Sequence, residues 1–132
     1  MGRVAVNPQG LAPPLGPYSY AVRATGELLF VSGCVALDEA GNVVGKNDVA
    51  KQTEQIMQIL QTILRAGGSS FHDVIKVTNY MIDISEFPKV APVRARYLVQ
   101  PYPASTTVEV RRLIRDDLLI EIEAVAVVRS RS

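Results

Sequence analysis

The clearest hydrophobic pattern lies near the C-terminal end, where apolar residues recur with a period of two. Leu118, Ile120, Ile122, Ala124, Ala126 and Val128 fall on one side, and Leu119, Glu121, Glu123, Val125 and Val127 on the other. The first set is wholly apolar and must pack against a core. The second is half apolar and half acidic, which is odd for a surface facing only water. The run therefore predicts a strand over Leu118–Arg129 with one face on helices and one face open to association.

Between Asp48 and Ala66 the period changes. Thr53, Ile56, Met57, Leu60, Ile63 and Leu64 recur at helical spacing, with Lys51, Gln55, Gln58 and Arg65 off the stripe. Asn47 or Asp48 can cap its start, and Gly67-Gly68 can close its end in the left-handed conformation. Asp73–Ile84 returns to strand character. Ser85 then resembles a cap for a second helix reaching about Val99. Pro88 suits its first turn, whereas Pro92 either delays the regular helix to about Ala91 or kinks it. A further strand is expected at Thr106–Arg112.

Upstream, Pro8, Gly10, Pro13, Pro14, Gly16 and Pro17 give the start of the chain loop character. Tyr18–Val31 reads as a hairpin turning at Thr25-Gly26, and Asp38–Asn42 reads as a second turn. Together these elements predict one α+β domain over residues 1–132: a mixed six-stranded β-sheet with two α-helices packed on one face. The uncovered sheet face would leave apolar area exposed in a monomer. Such area marks an association surface, and closed rotational symmetry is its usual result.

Composition narrows the class. The chain has 132 residues, 48% hydrophobic and 20% charged, with a net charge of +1. That balance offers no clustered basic excess for nucleic acid or an anionic membrane. Arg111, Arg112, Arg115, Arg129 and Arg131 are interleaved with Asp116, Asp117, Glu121 and Glu123, which reads as a mixed solvated surface. No apolar run approaches the ~18–20 residues of a membrane span. The start of the chain lacks a signal-like segment. Cys34 is the single cysteine, so no intrachain disulfide can form, and a cytoplasmic location is expected. His72 alone makes no metal site.

Four short words stand in register along the chain: Gly16-Pro17-Tyr18-Ser19, Phe30-Val31-Ser32-Gly33, Pro103-Ala104-Ser105-Thr106-Thr107-Val108-Glu109-Val110, and Leu119-Ile120-Glu121-Ile122-Glu123-Ala124. They resemble the Rid family, the reactive-intermediate (imine) deaminases of the YjgF type, also labelled L-PSP endoribonuclease-like. The resemblance runs from Pro8 to about Val128. It implies a YjgF/chorismate-mutase-like fold and a homotrimer with a small-molecule pocket in each cleft between subunits. It also implies hydrolysis of 2-imino acids or their enamine tautomers to 2-keto acids and ammonia, with no cofactor and no metal.

The same resemblance marks candidate residues. Glu121 matches the family glutamate that positions or activates water. Tyr18 matches a tyrosine lining the pocket of a neighbouring subunit, although a strand-start aromatic can equally cover the core. Ser32 and Gly33 can offer a hydroxyl and a closely approachable backbone, or simply bend a strand end. The position matching Ser105 is, in the family's deaminases, an arginine that clamps the substrate carboxylate. Arginine binds a carboxylate through two parallel charged hydrogen bonds, and serine brings one neutral hydroxyl. Ser105, Thr106 and Thr107 thus resemble a polar cradle for a neutral or weakly polar ligand, while a polar edge strand is an equal reading for Thr106. Ala91 stands where the family usually has a pocket-side asparagine, and Cys34 where it has glutamine.

Arg94 and Arg111 are the candidates to replace the lost arginine. Arg111 lies six residues from Ser105 along the strand, about 20 Å away, and is too far. Three functions then compete. One is a divergent Rid enzyme hydrolysing an imine or enamine that lacks an ordinary α-carboxylate. Another is a non-catalytic trimeric small-molecule-binding or chaperone-like protein. The last, an endoribonuclease, is disfavoured by near-neutral charge and the lack of a histidine pair.

Overall fold

The computed structural model describes residues 3–129. Along the chain run β1 (Arg3–Val6), β2 (Ala21–Ala24), β3 (Leu28–Cys34), α1 (Val49–Ala66), β4 (Val74–Met81), α2 (Phe87–Ala95), β5 (Ala104–Glu109) and β6 (Ile120–Val127). The main sheet has the order β3-β6-β4-β5, with β4 and β5 parallel and the other neighbours antiparallel.

The expected six strands form a mixed array of α+β type, divided four and two. β1 and β2 make their own antiparallel pair, joined to the edge of β5 by a single bridge between Ser19 and Ala104. Buried Ser19 anchors that joint: its N–H donates to the Pro103 carbonyl at 2.9 Å and its hydroxyl to the Tyr102 carbonyl at 2.5 Å.

This arrangement corrects the expected Tyr18–Val31 hairpin. Gly26 does turn the chain, at φ +118°, but β2 pairs with β1 while β3 pairs with β6. The physical reason lies in β6, whose wholly apolar face and half-apolar face place it inside the sheet, where it needs a neighbour on each side. Likewise the start of the chain is not all loop, because Arg3–Val6 supplies the partner that β2 requires. Val35–Leu37 forms no strand, although the turn at Asp38–Asn42 is present, with Asp38 accepting from the N–H groups of Ala40 and Asn42.

Helix α1 follows its sequence pattern. Asp48 accepts from the Lys51 N–H at 3.1 Å as the N-cap, and Gly68 beyond the C-terminus takes φ +78°. Thr53, Ile56, Met57, Leu60 and Leu64 are buried against the sheet. Helix α2 begins at Phe87, after a short 3₁₀ turn (Ile84–Glu86) capped by Asp83 rather than Ser85. It incorporates Pro92 and ends at Ala95, four residues short of the expected Val99. Pro92 has no N–H to offer the carbonyl one turn back. The chain leaves the helix through turn-like bonds, the Arg96 N–H donating to the Val93 carbonyl and the N–H groups of Tyr97 and Leu98 to the Arg94 carbonyl.

Ile120, Ile122 and Ala126 of β6 are fully buried beneath the helices. The opposite sheet face carries Leu28, Phe30 and Val108, with Phe30 74% exposed. Among the described residues no helix is long and apolar enough to cross a membrane. The late arginines do form a mixed surface. Arg112 pairs with Asp116 at 3.4 Å, Arg115 with Asp117 at 3.1 Å and Arg129 with Asp73 at 2.5 Å. Arg131 lies outside the described residues.

Candidate functional site

The parallel register of β4 and β5 sets Ser105 opposite Val77 and Thr107 opposite Asn79. Val77 and Asn79 are buried on the helix side, so Ser105 and Thr107 point the same way, beneath α2. Asn79 fixes this edge by donating from its amide to the Thr107 hydroxyl at 3.1 Å and the Thr106 carbonyl at 3.2 Å. Above it, α2 presents Ala91 and, one turn on, Arg94. The Gly16-Pro17 turn closes the remaining side with Tyr18, whose hydroxyl accepts from the Leu15 N–H at 3.2 Å.

These elements enclose a cavity of about 580 Å³ lined by Tyr18, Ala91, Arg94, Ser105 and Thr107, with apolar walls from Leu15, Pro17, Ile84 and Phe87. Arg94 is only 2% exposed. Its guanidinium donates to the Ser105 hydroxyl at 3.3 Å and lies 6.0 Å from the centre of the Phe87 ring. Its Nε has no partner. Burial pushes its pKa down to about 10, so the side chain remains a cation at neutral pH.

Glu121 lies elsewhere. The register of β4 with β6 sets Glu121 opposite Tyr80 and Glu123 opposite Thr78, while the adjacent Ile120 and Ile122 enter the core. Glu121 therefore points from the sheet face away from the helices, across the sheet from the cavity. Ser32 and Gly33 accompany it, in a bulge of β3 between Val31 and Cys34. Glu123 is engaged by the Tyr80 hydroxyl at 2.9 Å, and this hydrogen bond raises the tyrosine pKa.

Gly33 lets the Glu121 carboxylate lie against the β3 backbone. A Cβ there would sit 1.8 Å from a Glu121 carboxylate oxygen and 2.7 Å from its Cδ. Gly33→Ala is accordingly expected to swing the flexible Glu121 side chain aside, at a cost of about 1 kcal/mol, the low end of overpacking. Urea unfolding should show the lowered midpoint, and an unchanged midpoint would mean that the carboxylate moves freely.

Cys34 is buried, and its thiol donates to the Ser32 carbonyl at 3.4 Å. Desolvation first, then the Glu121 charge, push its pKa up to about 11, which removes it as a nucleophile at neutral pH. His72 is exposed, and its backbone N–H donates to the Ser70 hydroxyl at the start of a 3₁₀ turn.

Thus Tyr18, Ala91, Ser105 and Thr107 come together, while Ser32, Gly33 and Glu121 gather on the opposite face. Sequence reasoning raised Arg94 without placing it and passed over Phe87, Ile84 and Asn79. For Asn79 a signal existed, since it shares the period-two parity of Val77 and Met81 in a strand whose apolar side is buried.

The fold is that of a small α+β protein with a cavity at a sheet edge beneath a short helix. The chain belongs to the Rid family: the family model described as Endoribonuclease L-PSP matches residues 9–128. A RutC family protein of Pyrococcus horikoshii is 44% identical over 113 residues, covering 86% of this chain and 88% of the relative. The 3-aminoacrylate deaminase RutC of Acinetobacter baylyi is 36% identical over 126 residues, covering 96% and 98%. The crystal structure of the Rid-family protein YyfB from Yersinia pestis superposes with a TM-score of 0.89 at 31% identity, covering 97% of this chain and all of that one.

Proposed function

We propose that this protein hydrolyses the C=N bond of a small reactive imine, or its enamine tautomer, in clefts of a homotrimer. The observation that carries the reading is the cavity beneath α2, where Ala91, Ser105 and Thr107 meet and which Tyr18 of the same chain, rather than of a neighbouring subunit, also lines. A relative named for the deamination of 3-aminoacrylate supports the reaction class.

The chemistry requires a water oxygen to bond to the imine carbon while a base takes the water proton. Glu121 is that base; it returns this proton to nitrogen to give the carbinolamine, then carries the hydroxyl proton to the same nitrogen as the C–N bond breaks, so that ammonia leaves as the carbonyl forms. Because Glu121 and the cavity lie on opposite sides of one sheet, a single chain does not complete the site. The exposed apolar face with Phe30 and Leu28 gives a second copy a surface to cover, so that Glu121 of one copy can reach the cleft of another. Ser105 contributes only a neutral hydroxyl, so this site does not hold a 2-imino acid through the strand-borne arginine of ordinary family deaminases.

The test is ammonia and carbonyl-product release from freshly generated 2-aminoacrylate and 2-iminobutyrate, with buffer as the reference. Faster release with the protein supports hydrolysis. Stabilisation of the protein against heat by the carbonyl products, with no acceleration, would favour the second reading, a non-catalytic trimeric small-molecule-binding or chaperone-like protein. That alternative draws on the same separation, since the cavity can bind without Glu121.

A further inference from the structure

We propose that Arg94 is the anchoring group of this cavity, and that its ligand is a small carboxylate carrying an apolar body. The inference rests on the cavity being the ligand site but not on any reaction taking place there. It also reverses the expectation, drawn from Ser105, of a neutral ligand.

A guanidinium has five N–H donors and is costly to bury unless they are satisfied. Arg94 is 2% exposed, yet the side-chain acceptor it finds is one neutral hydroxyl at 3.3 Å, and its Nε finds none. Among the described residues no carboxylate forms an ion pair with it. A planar, fully charged fork therefore lines a cavity with most of its bonding capacity unused. A carboxylate is the group whose two oxygens match that fork with parallel charged hydrogen bonds.

The rest of the wall selects the body of the ligand. Leu15, Ile84, Phe87 and Ala91 are apolar, and the cavity of about 580 Å³ exceeds what a carboxylate alone would fill. Ser105 plays a positioning part. Its short side chain leaves room for the guanidinium arriving from α2 and orients it through the hydroxyl. An arginine at 105 would bring a second cation against the first, so Ser105 and Arg94 form a matched pair in which the charge has moved from strand to helix.

Isothermal titration of the unmodified protein with 4-methyl-2-oxopentanoate and with the neutral 4-methyl-2-pentanone tests the assignment. The keto acid is expected to bind at least about tenfold more tightly than the ketone, reflecting the charged hydrogen bonds. Arg94→Met should lose that difference, and Arg94→Lys, a point charge without the fork, should retain part of it. Unliganded Arg94→Met should melt at the same temperature as the unmodified protein or higher, because it removes a buried and incompletely partnered charge.

A purely structural Arg94 would give the opposite signature: a lower melting temperature with keto-acid affinity unchanged. That result overturns the proposal, as does equal affinity for ketone and keto acid, or no keto-acid binding by the unmodified protein. Keto-acid binding without turnover of any imine would leave the anchor standing and sink the hydrolase reading alone.

Discussion

Glu121→Gln is expected to slow imine hydrolysis by about 10²–10⁴-fold, the range that a positioned general base contributes. Glutamine keeps the shape of the side chain, so the contact with Gly33 and the β6 register persist while the ability to take a proton from water is lost. Glutamine has nearly the same size, so the cleft that Glu121 reaches in a second copy keeps its shape and binding of a carbonyl product should change little. Steady-state kinetics should therefore show the loss in kcat with KM little altered. Melting temperature and oligomeric state serve as controls. Full turnover by a folded Glu121→Gln protein would remove the residue from the mechanism and transfer the water-activating role elsewhere.

What the sequence disclosed follows a physical division. Period and capping are local, so the two faces of β6, the buried stripe of α1 and the Asp48 cap were all readable from residue types. Pairing is not local. Nothing in Ala21–Ala24 states that its partner is Arg3–Val6 rather than the strand just beyond Gly26, and the hairpin expectation failed for that reason.

The site divides in the same way. Tyr18, Ala91, Ser105 and Thr107 were marked by their words, and the structure gathers them around one cavity. Ser105 taken alone suggests a neutral wall, and its neighbour on the helix, Arg94, adds a charge to the same cavity. Pro88 and Pro92 interrupt the helical pattern of α2, which obscured that Val90 and Arg94 stand one turn apart and are its two buried positions. Once that face is fixed, an arginine on it calls for a partner, and the cavity is where one can enter. The separation of Glu121 from the cavity was implicit in parity along β5 and β6, but only the shared neighbour β4 puts the two strands on a common frame.

The largest stability effect is expected at Gln52, which sequence reasoning did not single out. It sits four residues before Ile56 on the buried stripe of α1 and is fully buried. Its amide donates to the carbonyls of Asp117 at 2.9 Å and Gly45 at 3.2 Å, and its oxygen accepts from the Leu119 N–H at 2.8 Å. One side chain thus ties the helix to the chain entering β6, two residues before Glu121. Gln52→Leu keeps the volume roughly constant and strands three backbone groups. Each unpaired buried group costs about 1–3 kcal/mol, and since part of this edge is open to water we expect a total of about 2–4 kcal/mol. For a chain of this size that corresponds to a fall in Tm on the order of 10 °C. The loss should exceed that of Thr53→Val on the same helix, where the hydroxyl merely bonds the Val49 carbonyl at 2.7 Å. If Gln52→Leu instead melted as the unmodified protein does, β6 would be held in place by its sheet neighbours alone. The position of Glu121 would then owe nothing to the helix.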